Sequence, residues 1–349
     1  MTTPTMPMTI LNPTADDHLY TLRNGADMRV TISARGGTLR SWHAPDRYGK
    51  VADVLLGFPD EAGYAGNAPY FGALVGRCAN RIAGARFELD GATYRLDRND
   101  GANHLHGGLV GLHLAQWRVQ AEDGGLLLRH ESPDGDGGYP GNLQVQVRYR
   151  LADDGSLSIA YEARTDAPTP VNLTSHGYFN LNGGVAGIGD HLLRIAADSY
   201  LPIDGECIPY GREEAVAGSA FDFRQAAPIG PRLGWPEPQL AQFKGFDHNY
   251  CVGPAGALRA VAWVCDPASG RELTVSTTES GLQFYSGNFL AGVRGKGAAP
   301  YAIHDGFCLE AQAYPNQING PNAEAVVLRP GRVYRQTTVY RLGVQAGGV

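Results

Sequence analysis

The sequence predicts an all-β protein, folded as a large antiparallel β-sandwich. Residues 143–151 alternate strictly between apolar and polar side chains, and only a half-buried strand satisfies both sets. Glycine occurs 47 times in 349 residues, which is typical of a turn-rich β protein. Helical periodicity is nearly absent, because no window of about 15 residues has a convincing apolar face at helical spacing. A sandwich of antiparallel sheets accounts for all three observations.

Two hairpins and several shorter strands are expected along the chain. The first hairpin spans residues 86–96, where Asp90 and Gly91 supply the positive φ angles of a tight turn. The second joins residues 143–151 to the alternating residues 157–163 through a turn at residues 152–155. Further strands, bounded by glycine, proline or aspartate, are expected at residues 117–121, 126–130, 192–197, 261–265 and 273–277.

The proline-rich segment at residues 228–238 resembles a linker between domains. Strand-like patterning continues on both sides without a change in composition, so we interpret the segment as a surface loop. We expect one domain over residues 1–349, with flexible tails at residues 1–9 and 345–349.

The composition narrows the class of partner. The formal net charge of -6 is spread along the chain without charged blocks, which argues against a nucleic-acid or anionic membrane surface. The five cysteines are widely spaced, and residues 1–20 lack the features of a signal peptide or membrane span. We expect a small neutral ligand and a cytoplasmic location, while a monomer and a homodimer both stay open.

Four short segments concentrate polar residues of the kinds that perform chemistry. They are GRCANRI at residues 76–82, NHLHGG at residues 103–108, VNLTSHGYFNL at residues 171–181 and LEAQAYPN at residues 309–316. His176 lies in an apolar setting that can orient its imidazole and tune its pKa, although a core histidine bonded to a carbonyl would look the same. Glu310 follows three apolar residues, so burial would raise its pKa toward that of a useful base, unless an arginine pairs with it.

The remaining polar positions allow more than one interpretation. His104 and His106 would project to one face of a strand, as in some metal sites, but a third ligand at suitable spacing is missing and we predict no metal. Arg77, Asn80 and Arg81 form either a solvated basic edge or a grip for sugar hydroxyls. Asp247, in FDHNY at residues 246–250, fits either a sugar contact or a turn.

Taken together, these segments make the chain resemble the aldose 1-epimerase (galactose mutarotase) family, whose fold is a large antiparallel β-sandwich. PYFG at residues 69–72, FDFR at residues 221–224 and GLQFYSGN at residues 281–288 also resemble family signatures, in the family's order. The resemblance implies His176 as proton donor and Glu310 as proton acceptor. It implies that the substrate contacts are Asn80, Arg81, His106, Tyr178, Asp247 and Gln283, and that His104 is not a site residue.

The implied reaction needs no cofactor. Glu310 removes the proton of the anomeric hydroxyl while His176 protonates the ring oxygen, so the sugar opens and recloses as the other anomer. Gly177, Tyr210 and Tyr314 depart from the usual family pattern. These departures leave the preferred sugar open, because residues at the rim of a site set which hydroxyl configurations are tolerated.

Three other functions stay open at this point. A sugar-binding protein without catalysis would not require a matched acid and base. An epimerase of phosphorylated sugars would need a phosphate clamp, for which Arg77 is the candidate. A glycoside hydrolase would need a carboxylate pair, for which Glu310 and Asp247 are the candidates.

Overall fold

The computed structural model describes residues 18–66 and 68–345, and strands dominate them. The expected tails lie outside these residues except for Gln345, whose backbone N–H donates to the Gly270 carbonyl at 2.8 Å. The strands of the first third are β1 Leu19–Arg23, β2 Arg29–Ser33, β3 Leu39–Pro45, β4 Val51–Asp53, β5 Leu74–Val75, β6 Arg81–Ile82, β7 Arg86–Leu89, β8 Ala92–Arg95, β9 His104–Leu105 and β10 Arg118–Glu122.

The rest of the described chain continues in the same way. Its strands are β11 Gly125–Ser132, β12 Leu143–Leu151, β13 Ser156–Thr165, β14 Thr169–Pro170, β15 Thr174–Ser175, β16 Tyr178–Phe179, β17 Leu192–Ile195, β18 Ser199–Leu201, β19 Glu214–Ala215, β20 Ala227–Pro228, β21 Asp247–Cys251, β22 Arg259–Cys265, β23 Arg271–Thr277, β24 Gly281–Tyr285, β25 Phe307–Gln312, β26 Val327–Leu328 and β27 Tyr334–Val344. The described helices are short: α1 Glu61–Tyr64, α2 Ile229–Leu233 and α3 Pro238–Phe243, with 3-10 turns at Ala83–Ala85, Gly108–Val110, Asp136–Gly138, Gln317–Asn319 and Ala323–Val326.

Two large sheets form the body of the protein. Nine strands associate in the order β10-β11-β12-β13-β27-β23-β22-β17-β20, and six in the order β16-β25-β24-β21-β18-β19. Their ladders are antiparallel, and a four-stranded sheet of β1 to β4 lies beside them. The predicted all-β antiparallel fold is therefore confirmed.

Both predicted hairpins are present. Strand β7 pairs with β8 across Asp90 and Gly91, whose φ angles are 51° and 81°. Strands β12 and β13 pair from Leu143 opposite Thr165 to Leu151 opposite Leu157. The other predicted strands correspond to β10, β11, β17, β22 and β23, within a few residues at their ends.

The proline-rich segment is not the irregular loop that we expected. Strand β20 and helix α2 occupy residues 227–233, and α3 begins at Pro238. Pro231 lies in the first turn of α2, where its missing N–H has no helical partner to lose, and Ile229 anchors the helix with a fully buried side chain. Within the described residues, no helix has the length and apolar character that crossing a membrane requires.

One hydrophobic layer joins the three sheets. The ring of Phe179 on the six-stranded sheet lies 5.4 Å from Tyr340 on the nine-stranded sheet and 6.5 Å from Trp42 on the four-stranded sheet. The buried cluster that contains these rings draws residues from Leu22 to Leu342. We therefore propose that residues 18–345 form one domain, as the sequence predicts.

The six-stranded sheet presents opposite characters on its two faces. Along β25, Phe307 and Leu309 enter the hydrophobic layer, so Cys308 and Glu310 project from the other face. Glu310 stands opposite Gln283 of β24, and Cys308 opposite Tyr285. We call the face that carries Cys308 and Glu310 the site face.

Candidate active site

A cavity of about 330 Å³ opens on the site face. Seven of the eight predicted site residues line it, although they come from segments far apart in the chain: Asn80, Arg81, His106, His176, Tyr178, Asp247 and Glu310. Antiparallel pairing brings Tyr178, Cys308, Tyr285 and Asp247 into one row across β16, β25, β24 and β21. The six-stranded sheet therefore supplies Tyr178, Asp247 and Glu310 to the cavity, and Asn80, Arg81, His106 and His176 come from outside this sheet.

His176 and Glu310 form a buried pair at the bottom of this cavity. His176 Nε2 lies 3.6 Å from Glu310 Oε1, and the side chains are 6% and 3% exposed. Burial lowers the pKa of His176 to about 3. Burial, followed by the charge of Asp247, raises the pKa of Glu310 well above its ordinary value, and Arg81 opposes this shift. The Oε2 atom of Glu310 is buried and has no hydrogen-bond partner among the described residues.

Backbone contacts hold His176 in place. Its N–H donates to the Ala73 carbonyl, and its own carbonyl accepts from the Gly72 N–H, both at 2.9 Å. The imidazole stacks on Tyr178, with ring centroids 5.0 Å apart, and on Tyr70, with ring centroids 5.8 Å apart. These contacts fix the ring edge that faces Glu310.

His106 has a fixed tautomer. Its Nδ1 accepts a hydrogen bond from the backbone N–H of Asn80 at 3.1 Å, so a neutral ring carries its hydrogen on Nε2. The Asn80 carbonyl accepts the N–H of His106 in return, at 3.1 Å. Burial, with the neighbouring His176 and Arg81, holds the pKa of His106 well below its ordinary value. His106 therefore presents an N–H donor at neutral pH.

Arg81 and Asp247 supply the charged wall of the cavity. Arg81 Nε donates to Asp100 Oδ2 at 2.7 Å, and its NH1 lies 3.8 Å from Asp247 Oδ2. Burial raises the pKa of Asp247, whereas Arg81 and Gln283 lower it. The single positive charge of Arg81 thus faces two carboxylates. Because this charge is already balanced, the wall of the cavity suits neutral hydroxyl groups better than an anion.

The resemblance implied that Gln283 contacts the substrate, but Gln283 does not line the cavity. It is 3% exposed, and its Nε2 donates to Asp247 Oδ1 at 2.7 Å. Its place opposite Glu310 on the adjacent strand puts it beneath the site, where it orients Asp247.

Some residues of the cavity were not assigned a role from the sequence. Tyr70 packs against His106 and His113 with ring centroids 4.7 and 4.6 Å apart, and it lines the cavity with Tyr285 and Phe289. The PYFG motif was the available signal for Tyr70. Phe289, which is 62% exposed, had no comparable signal.

Comparisons with known proteins decide which family this fold and site represent. The sequence model of the family described as Aldose 1-epimerase matches residues 18–341. The galactose mutarotase of Bos taurus is 45% identical over 319 residues, which cover 91% of this chain and 92% of that protein. The aldose 1-epimerase of Escherichia coli (strain K12) is 42% identical over 329 residues, covering 93% and 94%. The chain belongs to the aldose 1-epimerase family.

Solved structures agree with this assignment. A galactose 1-epimerase from Lactobacillus acidophilus NCFM superposes with a TM-score of 0.84 at 28% identity, covering 97% of this chain and 99% of that one. An aldose epimerase homologue from C. elegans gives 0.87 at 27% identity, covering 95% and 100%. The predicted family, fold and reaction class of this aldose 1-epimerase are confirmed.

The expected pairing of His104 with His106 is wrong for this epimerase. Strand β9 ends at Leu105 and His106 has a φ of 52°, so the two imidazoles do not share a strand face. His104 is fully buried between the Asp97 carbonyl and the Tyr139 hydroxyl, both at 2.8 Å. It is a core histidine, as the resemblance implied.

A different trio has the composition of a metal site. Ligand atoms of His106, His176 and Glu310 lie within 4.8 Å of one another, the single group of this kind in the described chain. A metal on His106 Nε2 would have to displace the hydrogen that the Asn80 contact places there. The trio is therefore better suited to donating and accepting protons.

The three departures from the family pattern do not line the candidate site. Tyr210 and Tyr314 line a separate groove of about 870 Å³, and Arg212 packs over the Tyr210 ring at 5.0 Å. A Cβ on Gly177 would contact the Phe179 ring at 3.1 Å. None of the three lines the cavity that contains His176 and Glu310.

Proposed function

We propose that this epimerase interconverts the α and β anomers of a free, uncharged aldose, with Glu310 as base and His176 as acid. The observation that carries the proposal is the buried pair with Nε2 and Oε1 3.6 Å apart at the bottom of the cavity. Galactose is the first sugar to test, because the mammalian relatives carry the name galactose mutarotase.

Each proton in the reaction has a donor and an acceptor. The Glu310 carboxylate takes the proton of the anomeric hydroxyl, and the electron pair of that O–H bond forms the carbonyl. The bond between C1 and the ring oxygen breaks, and the ring oxygen takes the proton from Nε2 of protonated His176. After rotation about the C1–C2 bond, the same transfers run in reverse and give the other anomer.

The protein environment favours one distribution of the shared proton. Burial raises the pKa of Glu310 and lowers that of His176, so a protonated carboxyl beside a neutral imidazole is the preferred state of the pair. This is the state that accompanies the open-chain sugar. The ring-closed sugar stabilises the ionised pair, because its anomeric hydroxyl donates to the Glu310 carboxylate and its ring oxygen accepts from protonated His176. The two protonation states of the pair are therefore close enough in free energy for the proton to move between them.

The remaining residues hold the sugar and stabilise charge. The Nε2–H of His106 and the guanidinium of Arg81 are donors for the ring oxygen as its bond to C1 breaks. Asp247, oriented by Gln283, accepts sugar hydroxyls and fixes the reacting end between acid and base.

A phosphorylated sugar is a poorer fit. The guanidinium of Arg77, the candidate phosphate clamp, donates to the carbonyls of Ser132, Pro133 and Pro140. It also donates to the hydroxyls of Ser132 and Thr169, and Arg77 does not line the cavity. Arg81 is already paired with Asp100 and faces Asp247. A cytoplasmic location is part of the proposal, and five cysteines without a disulfide support it.

Polarimetry tests the proposal directly. Crystalline α-D-galactose, and α-D-glucose in parallel, are dissolved with wild type, Glu310→Gln or His176→Asn, and the optical rotation is followed against buffer. We expect wild type to reach the same final rotation faster, and each variant to lose about 10²- to 10⁴-fold in kcat.

The control is Glu279→Gln, which neutralises another buried glutamate with a raised pKa that lies outside the cavity. It should keep wild-type kcat. Wild type that matches buffer on both sugars would reject mutarotation of these hexoses, and active variants would reject the assigned acid and base.

A further inference from the structure

Cys308 touches the edge of His176 that the reaction does not use. Its Sγ lies 3.5 Å from His176 Nδ1, and Cys308 is fully buried. It is two residues before Glu310 on the site face of β25. The imidazole is therefore held between two side chains of one strand, with a thiol at Nδ1 and a carboxyl at Nε2.

We propose that Cys308 is a positioning residue that accepts the Nδ1–H of His176 and so directs Nε2 toward Glu310 and the sugar. This proposal rests on the proposed function, in which His176 exchanges its proton at Nε2. Throughout that cycle the hydrogen on Nδ1 stays in place, and the sulfur is its acceptor.

The ring orientation depends on this contact. If the imidazole turned over, a carbon-bound hydrogen would face the sulfur, and Nδ1 would lose its side-chain partner. With Nδ1 facing the sulfur, a hydrogen on Nδ1 has an acceptor at 3.5 Å.

A thiol suits this position because it is a weak and neutral acceptor. Burial, followed by the charge of Glu310, raises the pKa of Cys308 well above its ordinary value, so the group stays uncharged. A carboxylate at the same place would stabilise the imidazolium and make His176 a weaker acid. Cys308 therefore orients the ring while leaving the proton on Nε2 easy to donate.

Two variants separate orientation from packing. Cys308→Ser keeps an acceptor of similar size, and Cys308→Ala removes it. Cys265→Ala is the matched control, since that thiol is also buried but contacts Gln345 rather than the site. The tautomer of His176 is measured by long-range proton–nitrogen NMR on histidine-labelled protein, with His176→Asn identifying the signal among ten histidines.

We expect neutral His176 to carry its hydrogen on Nδ1 in wild type, in Cys308→Ser and in the control. In Cys308→Ala the two tautomers should mix, and kcat for galactose mutarotation should fall about 10- to 100-fold with a smaller change in KM. Cys308→Ser should recover most of the loss.

Two results would overturn the inference. One is a wild-type hydrogen on Nε2, and the other is a Cys308→Ala variant with an unchanged tautomer and kcat. The NMR result does not depend on turnover. If the tautomer responds as expected while wild type fails to accelerate mutarotation, the positioning role stands and the proposed reaction is wrong.

Discussion

Glu310 is the residue at which stability and chemistry conflict most directly. Its carboxyl is 3% exposed, one of its oxygens lacks a hydrogen-bond partner among the described residues, and Asp247 adds negative charge nearby. Ionising such a group lowers the free energy of unfolding, because the unfolded chain solvates the carboxylate fully. A base that is strong enough to remove a sugar proton therefore destabilises the fold.

This conflict predicts that Glu310→Gln is more stable than wild type at neutral and higher pH. Below the ordinary pKa of 4.5, both folded and unfolded Glu310 hold the proton, and the difference vanishes. As pH rises above 4.5, the unfolded chain releases the proton first, so wild type loses stability until the folded carboxyl also ionises. Urea unfolding at about pH 4 and about pH 8 should show a gain of about 0.5–2 kcal/mol at the higher pH only.

The control for this measurement is Glu88→Gln, which changes an exposed glutamate of the same chain. It should show no such pH-dependent gain. A Glu310→Gln variant that is less stable than wild type at about pH 8 would mean that the carboxylate is stabilised by its surroundings.

Single residues differ in how far the sequence could predict them. His176 and Glu310 were candidates from their apolar neighbours alone, because uncommon polar groups in such settings are informative. The contact of Gln283 with the sugar stays a prediction, since strand pairing decides whether an amide faces the sugar or a neighbouring carboxylate. The role of Cys308 depends on a contact with a residue 132 positions away, which no local pattern contains.

At the scale of elements, the end of β9 decides where His106 points. His106, Gly107 and Gly108 all have positive φ angles, so the chain leaves the strand there and turns the imidazole into the cavity. A Cβ on Gly107 would overlap the Gly76 carbonyl, at the start of the GRCANRI segment. Glycine at position 107 thus lets two site segments approach each other.

Gly107→Ala is predicted to lower both stability and activity. The strained backbone should cost about 1 kcal/mol, and overlap with Gly76 about 1–3 kcal/mol more. Displacement of His106 should reduce kcat/KM for galactose about 10- to 100-fold. Urea unfolding and polarimetry measure the two effects.

Gly101→Ala is the matched control, because Gly101 has a φ of 60° but open space around its added Cβ. It should lose about 1 kcal/mol of stability and keep its activity. Equal activity losses in the two variants would show that backbone strain, and not the approach of the two segments, is the cause.

Elements with strong alternation were predictable, and those defined by tertiary contacts were not. Strands β12 and β13 carry their alternation over nine and ten residues, so they were evident in sequence. Helix α2 has five residues, too few for a helical period, and the burial of Ile229 defines it. The two-residue strands β5, β6 and β15 exist through their partners and leave no pattern of their own.

At the scale of the whole molecule, the surface offers a groove larger than the proposed catalytic cavity. Tyr210 and Tyr314 line it, and neither contributes to the cavity with His176 and Glu310. The proposed site is therefore not chosen by the size of a depression. Convergent polar groups with shifted pKa values support it.

We predict that Tyr210→Thr and Tyr314→Phe leave KM for galactose within about twofold of wild type. Tyr178→Leu should instead reduce kcat about tenfold or more, because it removes the ring that stacks on His176. Initial rates by polarimetry over a range of galactose concentrations measure both. A large change in KM for either groove variant would place that tyrosine in the path of the sugar.

Because the proposed base lies on β25, the two-residue period of this strand should make mutarotation a report of its correct register. A slip of one position would turn Cys308 and Glu310 into the hydrophobic layer and direct Leu309 into the cavity. A collapsed chain with native-like strands but a misaligned β25 would retain β-sheet circular dichroism and have no turnover. During refolding, the return of catalysis therefore marks the moment at which this strand finds its register.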